Sequence, residues 1–173
     1  MSVDQLPPFR DDEAINVVVE TPAGSRCKLK YEAEFDTFAL GKYLPEGFIF
    51  PFDFGFVPGT QADDGDPVDI LLVAEAGTAT GCVVPARLIG ALTAEQVNKH
   101  GRTVRNDRIL AVPLASRQYA TLRRLKDIPA ALREQIAFFL TSYGVLDGKI
   151  VRITGQHGPK TAAKLIRQAM NPA

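Results

Sequence analysis

The sequence is poor in cysteine: only Cys27 and Cys82 are present, far apart and without the spacing of a metal-ligand pair. Two free, buried thiols in a reducing compartment are the expectation. Histidine is equally scarce. His100 and His157 each sit beside glycine with no second ligand at useful spacing, so both read as solvated side chains. Net charge is missing too, since 20 Lys and Arg balance 20 Asp and Glu. No overall field draws nucleic acid or an anionic membrane, and the basic surplus of a nucleic-acid binder is absent. No apolar run approaches the roughly 20 residues that span a bilayer. The opening MSVDQLPPFRDDEA has no basic stretch leading into an apolar one, so no secretory signal is expected and a cytoplasmic location is. Repeats, low-complexity tracts and linkers are also lacking. One domain over 1–173, large enough for a sizeable core, is the expectation.

The first half of the chain reads as strands and turns. Val17-Val18-Val19 runs into Glu20 and the turn signal Thr21-Pro22-Ala23-Gly24. From Cys27 to Phe35 the pattern alternates. Cys27, Leu29, Tyr31, Ala33 and Phe35 point one way, and Lys28, Lys30, Glu32 and Glu34 the other. Phenylalanine recurs at 48, 50, 52, 54 and 56, on one face if the segment is extended, but Pro51 and Gly55 argue against an uninterrupted central strand. Further strands are expected at 68–73, 82–92 and 108–114, and several short strands at this spacing suggest a small barrel.

Helices are expected only in the C-terminal part. Asp127 suits an N-cap, Leu132, Ile136, Phe139, Leu140 and Tyr143 recur at helical spacing, and Gly144 suits the C-cap. A second helix is expected over 161–170, with Ala162, Leu165, Ile166 and Ala169 as its apolar stripe. Strands first and helices last give an α+β fold.

The segment richest in chemistry is Asp63-Asp64-Gly65-Asp66-Pro67-Val68-Asp69, with four carboxylates in seven residues on a turn that enters an apolar strand. Asp69 lies inside the apolar run, where an isolated charge is costly. Carboxylates this close repel unless a cation sits between them, and a hard cation with oxygen ligands, Mg²⁺ above all, answers that need. A solvated Asp-rich turn capping a strand is the plainer alternative on these residues alone. A calcium EF-hand loop fits poorly, because Val68 and Asp69 stand where it needs other residues and the flanks read as strands.

Asp64-Gly65-Asp66-Pro67-Val68-Asp69 resembles the D-x-D-P-x-D signature of the family I soluble inorganic pyrophosphatases. The likeness extends to Val17–Pro22, Lys30-Tyr31-Glu32, Phe50–Phe56, Ala111-Val112-Pro113 and the helix ending at Tyr143, and spans about residues 10 to 165. It implies a five-stranded OB-like β-barrel with additional strands and two C-terminal helices. The activity implied is hydrolysis of inorganic pyrophosphate to two phosphates by an Mg²⁺-activated water, in a homo-oligomer that is a hexamer in bacteria. By resemblance Asp66 is the catalytic base. Asp64, Asp69, Glu32 and Glu20 serve the metal cluster, and Lys30, Lys42 and Tyr143 bind substrate.

The same comparison marks departures. Lys42 stands for an arginine and loses its bidentate fork. Phe50 and Phe54 stand for tyrosines, and Asp53 for an asparagine, which puts an extra negative charge near an anionic substrate. The stretch between Leu92 and Arg108 is longer than in short bacterial enzymes. It places Gln96, beside Glu95, and Asn106, beside Asp107, where two metal-binding aspartates are expected. Arg108 and Gly144 replace lysines. These changes keep two further readings open: an impaired relative that binds metal, phosphate compounds or a partner, and a hydrolase of another phosphoanhydride.

Overall fold

The structure is a computed structural model that describes residues 2–12, 14–98 and 100–170. Its strands are β1 (Ala14–Thr21), β2 (Cys27–Glu32), β3 (Thr37–Tyr43), β4 (Asp53–Val57), β5 (Val68–Leu72), β6 (Val83–Val97), β7 (Thr103–Arg105), β8 (Arg108–Pro113) and β9 (Ile150–His157). The helices are α1 (Ala130–Leu146) and α2 (Pro159–Met170). Strands β1, β4, β5, β8 and β6 pair in that order and β6 pairs back with β1, which closes a ring of five strands. Among the described residues, only the β5–β8 pairing is parallel. The long β6 runs on past the ring to pair with β7 and β9, and β2 and β3 form a separate hairpin.

The ring strands are buried on both faces, which is why they read as nearly unbroken apolar runs. Ile70, Leu72, Ile109 and Ala111 pack on one side with Ala162 and Ile166 of α2. Their neighbours Leu71, Val73, Leu110 and Val112 pack on the other side with Ile136, Phe139 and Leu140 of α1. The α+β class and the apolar stripes of both helices agree with the sequence. Both α-helices lie in the C-terminal part as expected, but β9 lies between them, so the strands do not all come first.

Several local expectations are corrected. Asp127 does not cap α1. It accepts the backbone N–H of Arg123 and Arg124 within a tight 3-10 turn, which holds its carboxyl below the usual range. Pro129 precedes the helix instead. Gly144 is no C-cap: it lies inside α1, buried, where a Cβ would meet Val151 Cγ2 at 2.3 Å. The Phe run is not one extended segment, because the strand begins only at Asp53. Phe50, Phe52 and Phe54 join the α1-side core, whereas Phe56 packs with Tyr31 and Val18. Strand β2 ends at Glu32, which leaves Phe35 66% exposed at the hairpin. Cys82 is exposed and Cys27 only partly covered, so neither thiol is buried. Within the stretch 93–107, residues 93–97 continue β6 and Thr103–Arg105 form the short β7 that pairs with it.

Among the described residues no helix is long and apolar enough to cross a membrane.

Candidate active site

The Asp-rich turn sits between Thr60 and β5. Ala62 N–H donates to the Asp66 carbonyl, and Gly65 takes φ +89°, a conformation a side chain would strain. This bend exposes Asp64 and Asp66, while the register of β5 against β4 aligns Asp69 with Phe56. All three carboxylates line one cleft of about 620 Å³. Its other walls are Glu20 from β1, the charged face of β2, Gln96, Asn106 and Arg108 from β6 to β8, and Tyr143, Asp147 and Lys149 around the end of α1.

Among the described residues, half of the eight carboxylates that line the cleft face a basic partner. Lys30 Nζ lies 2.9 and 3.1 Å from the two oxygens of Asp66, and this bond raises the Lys30 pKa. Arg108 Nη1 lies 2.7 Å from Asp69 Oδ2. The same guanidinium donates to the Asn106 and Asp107 carbonyls and to Asn106 Oδ1. Lys28 Nζ is 3.5 Å from Glu20 Oε2 and 4.4 Å from the centroid of the Phe54 ring. Arg108 stands 5.7 Å from that ring, so Phe54 lies against two cations.

Glu20 is buried. Loss of hydration is the largest influence on its carboxyl and raises its pKa, although Lys28 and the Tyr31 N–H, 2.7 Å away, pull the other way. The fold therefore holds that proton more tightly than the unfolded chain does. What Glu20 contributes to stability is present below its ordinary 4.5 and is lost as pH rises through its folded value. Asp64 is also raised, mainly by desolvation and further by the charges of Asp69 and Asp66. Among the described residues, no basic side chain lies within ion-pairing distance of Asp64.

A family model described as Inorganic pyrophosphatase matches residues 17–173. The chain is 34% identical over 170 residues to the inorganic pyrophosphatase of Nostoc sp., covering 98% of each. The chain is a member of the inorganic pyrophosphatase family. Two solved structures agree with this membership. The inorganic pyrophosphatase from Thermus thermophilus superposes with a TM-score of 0.88 at 28% identity, covering 98% of this chain and 97% of that one. The enzyme from Neisseria gonorrhoeae gives 0.84 at 33%, covering 96% of each.

Of the site residues expected in this pyrophosphatase-family chain, Asp64, Asp66, Asp69, Glu20, Glu32, Lys30 and Tyr143 all line the cleft. Lys42 does not line it. Its ammonium pairs with Asp147 and lies 4.3 Å from the centroid of the Tyr143 ring. Burial, and then the Asp147 charge, push the Tyr143 hydroxyl upward. Lys28 and Lys149 also line the cleft and were not singled out from sequence. Lys28 shares the parity of Lys30 on β2, a signal that was available. Lys149 follows the turn after α1 and had none.

The departures divide in two. Asp53 faces away from the cleft: it is buried and accepts from Ala23 N at 2.8 Å, Thr78 N at 3.0 Å and Thr78 Oγ1 at 2.8 Å. It pins two turns and adds no charge beside the substrate. Asp53→Asn, which offers one acceptor oxygen in place of two, is expected to cost about 1–3 kcal/mol in denaturant unfolding, with kcat unchanged. Phe50 is fully buried and does not itself line the cleft. Asp107 turns to Ala94 N and Arg105, which leaves Gln96 and Asn106 as neutral amides on the cleft wall. No side chain fits at position 144 with β9 in place. Gly144→Lys is expected to lose about 1–3 kcal/mol of stability, read as a lowered urea midpoint, without gaining activity.

Proposed function

We propose that the chain hydrolyses inorganic pyrophosphate to two phosphates with a divalent cation, Mg²⁺, at the Asp64–Asp69 turn. The observation that carries this reading is one cleft that sets three aspartates of a single turn against Lys28, Lys30, Arg108 and Lys149. Anionic phosphoryl groups need the cations, and an attacking water needs a carboxylate base. The donor type also fits a hard divalent cation, which takes carboxylate oxygens. Asp64, raised mainly by desolvation and further by the charges of Asp69 and Asp66, makes no ion pair among the described residues and gains from a cation beside it. When bound, the cation supplies Lewis-acid polarisation of the phosphoryl oxygens and a more acidic water.

The role of the chain's own residues follows from their chemistry. Asp66 takes the proton of the water as its oxygen bonds to one phosphorus. The bridging P–O bond breaks, and its electron pair leaves with the second phosphate. Lys30 must release Asp66 for this proton transfer, and its ammonium then lies beside the phosphoryl oxygens. Lys28 and Arg108, held at the Phe54 face, stabilise the charge that develops on the leaving phosphate. Asp64, Asp69, Glu20 and Glu32 would hold the cation through their carboxylate oxygens. Tyr143 borders the substrate, and Lys42 acts through its contact with Tyr143. A cytoplasmic homo-oligomer, a hexamer by likeness to bacterial members, belongs to the same proposal.

A second reading, a phosphate-binding protein without turnover, is favoured by the Lys30 contact with both oxygens of Asp66. Phosphate release from pyrophosphate, tripolyphosphate and ATP, with and without millimolar Mg²⁺, separates the readings. Metal-dependent release from pyrophosphate supports the hydrolase. Binding of pyrophosphate without release from any of the three supports the binding protein, and release from ATP alone moves the substrate to another phosphoanhydride.

A further inference from the structure

We propose that Asp147 is a specificity-determining residue that confines the cleft to a two-phosphate substrate, by setting a carboxylate where the third phosphate of a longer phosphoanhydride would lie. This rests on the reading of the cleft as a pyrophosphate site. Size does not impose the limit. The cleft holds about 620 Å³, within the range of pockets that take a drug-sized molecule, and pyrophosphate is far smaller. Charge can impose it. Asp147 lines the cleft with Tyr143 and Lys149 at the end of α1, whereas the other carboxylates of its walls come from the N-terminal segment, β1, the β2–β3 hairpin and the turn.

Asp147 is the C-cap of α1. A negative charge there opposes the helix macrodipole, so the helix itself gains nothing from a carboxylate at this position. Its partner is Lys42 of β3, whose ammonium pairs with it and lies 4.3 Å from the centroid of the Tyr143 ring. After burial, the Asp147 charge is the largest influence that raises the Tyr143 hydroxyl, ahead of Asp69. Asp147 therefore bears on the ring that borders the substrate. Phe54 and Arg108 share a small crevice with Tyr143, Asp147 and Lys149. With the leaving phosphate at Lys28 and Arg108, a further phosphate extends past Tyr143 into this end. Lys149 attracts it there and Asp147 repels it. Lys42 partly offsets the carboxylate and, held by it, is absent from the cleft wall.

The test is kcat/KM for tripolyphosphate relative to pyrophosphate at one saturating Mg²⁺ concentration, for wild type, Asp147→Asn and Lys42→Gln. Melting of the same samples by circular dichroism shows which are folded. Asp147→Asn removes the repelling charge and frees the Lys42 ammonium. The ratio should then rise at least about fivefold, the worth of one like charge at about 4 Å in water. Lys42→Gln leaves the carboxylate uncompensated, so the ratio should fall. A merely structural latch between β3 and α1 would move both variants the same way. An unchanged or lower ratio for Asp147→Asn, or the same direction in both variants, overturns the proposal. If Asp147→Asn fails to fold, Lys42→Gln decides alone. No release from either substrate by any folded protein would instead remove the hydrolase reading. The ratio of the two anions' dissociation constants, measured by calorimetry on the same proteins, then decides the proposal in the same sense.

Discussion

Asp66→Asn is expected to lower phosphate release from pyrophosphate at saturating Mg²⁺ by at least about 10²-fold, the smallest usual worth of a positioned general base. Asparagine keeps the shape and loses the proton acceptor. The fold should not notice. Asp66 is about half exposed and its one ion pair is with an equally exposed Lys30, a class of contact worth at most about 1 kcal/mol. The thermal midpoint should therefore stay within about 4 °C of wild type. Steady-state phosphate release, with melting of the same samples followed by circular dichroism, checks both halves. A variant that retains wild-type turnover would show that the proton goes elsewhere, with Asp64 the next carboxylate on the turn.

Gly55→Ala is expected to have the largest effect on stability. Gly55 pairs with Val19 across β1 and β4, and an added Cβ would lie 2.0 Å from the Val18 carbonyl oxygen and 3.0 Å from Val19 Cα. Both obstacles are backbone, so no side chain can swing aside. Strands β1 and β4 must move apart within the five-strand ring, next to Glu20. Overpacking usually costs about 1–3 kcal/mol, and a clash with backbone belongs at or above the top of that range. Against a typical total of about 5–15 kcal/mol, that is a large fraction. The thermal midpoint should fall by at least about 6 °C, measured by calorimetry at one protein concentration. An unchanged midpoint would mean that β1 and β4 are not held this closely.

Much of the architecture was legible because the ring strands are buried on both faces and carry short apolar runs punctuated by turns. The stretches 68–73 and 108–114 are examples, matched closely by β5 and β8. Helix α2 was equally readable, since Ala162 and Ile166 fall on its buried stripe. Strand β9 was not. Its half-buried and exposed residues alternate and no position is fully covered, so Ile150–His157 carries too little apolar signal to stand out. Gly144 misled because glycine marks helix ends more often than close packing inside them, and only the position of Val151 shows which applies.

The turn at 64–69 could be found from sequence because its carboxylates are adjacent in the chain. The cations that answer them come from β2, β8 and the end of α1, and no local pattern joins those elements. Asp53 shows the reverse error. Its identity suggested a charge beside the substrate, whereas its three donors from Ala23 and Thr78 place it in a structural joint. Residue type indicated the chemistry that could occur, and long-range strand pairing decided which residues take part.

The most direct test of pyrophosphate hydrolysis is phosphate release by the wild-type chain, with pyrophosphate as sole substrate and Mg²⁺ raised from a chelated baseline to millimolar. The account predicts no release at the baseline and turnover that rises with Mg²⁺ to a plateau. A folded chain that releases no more phosphate than buffer at every Mg²⁺ concentration would contradict it.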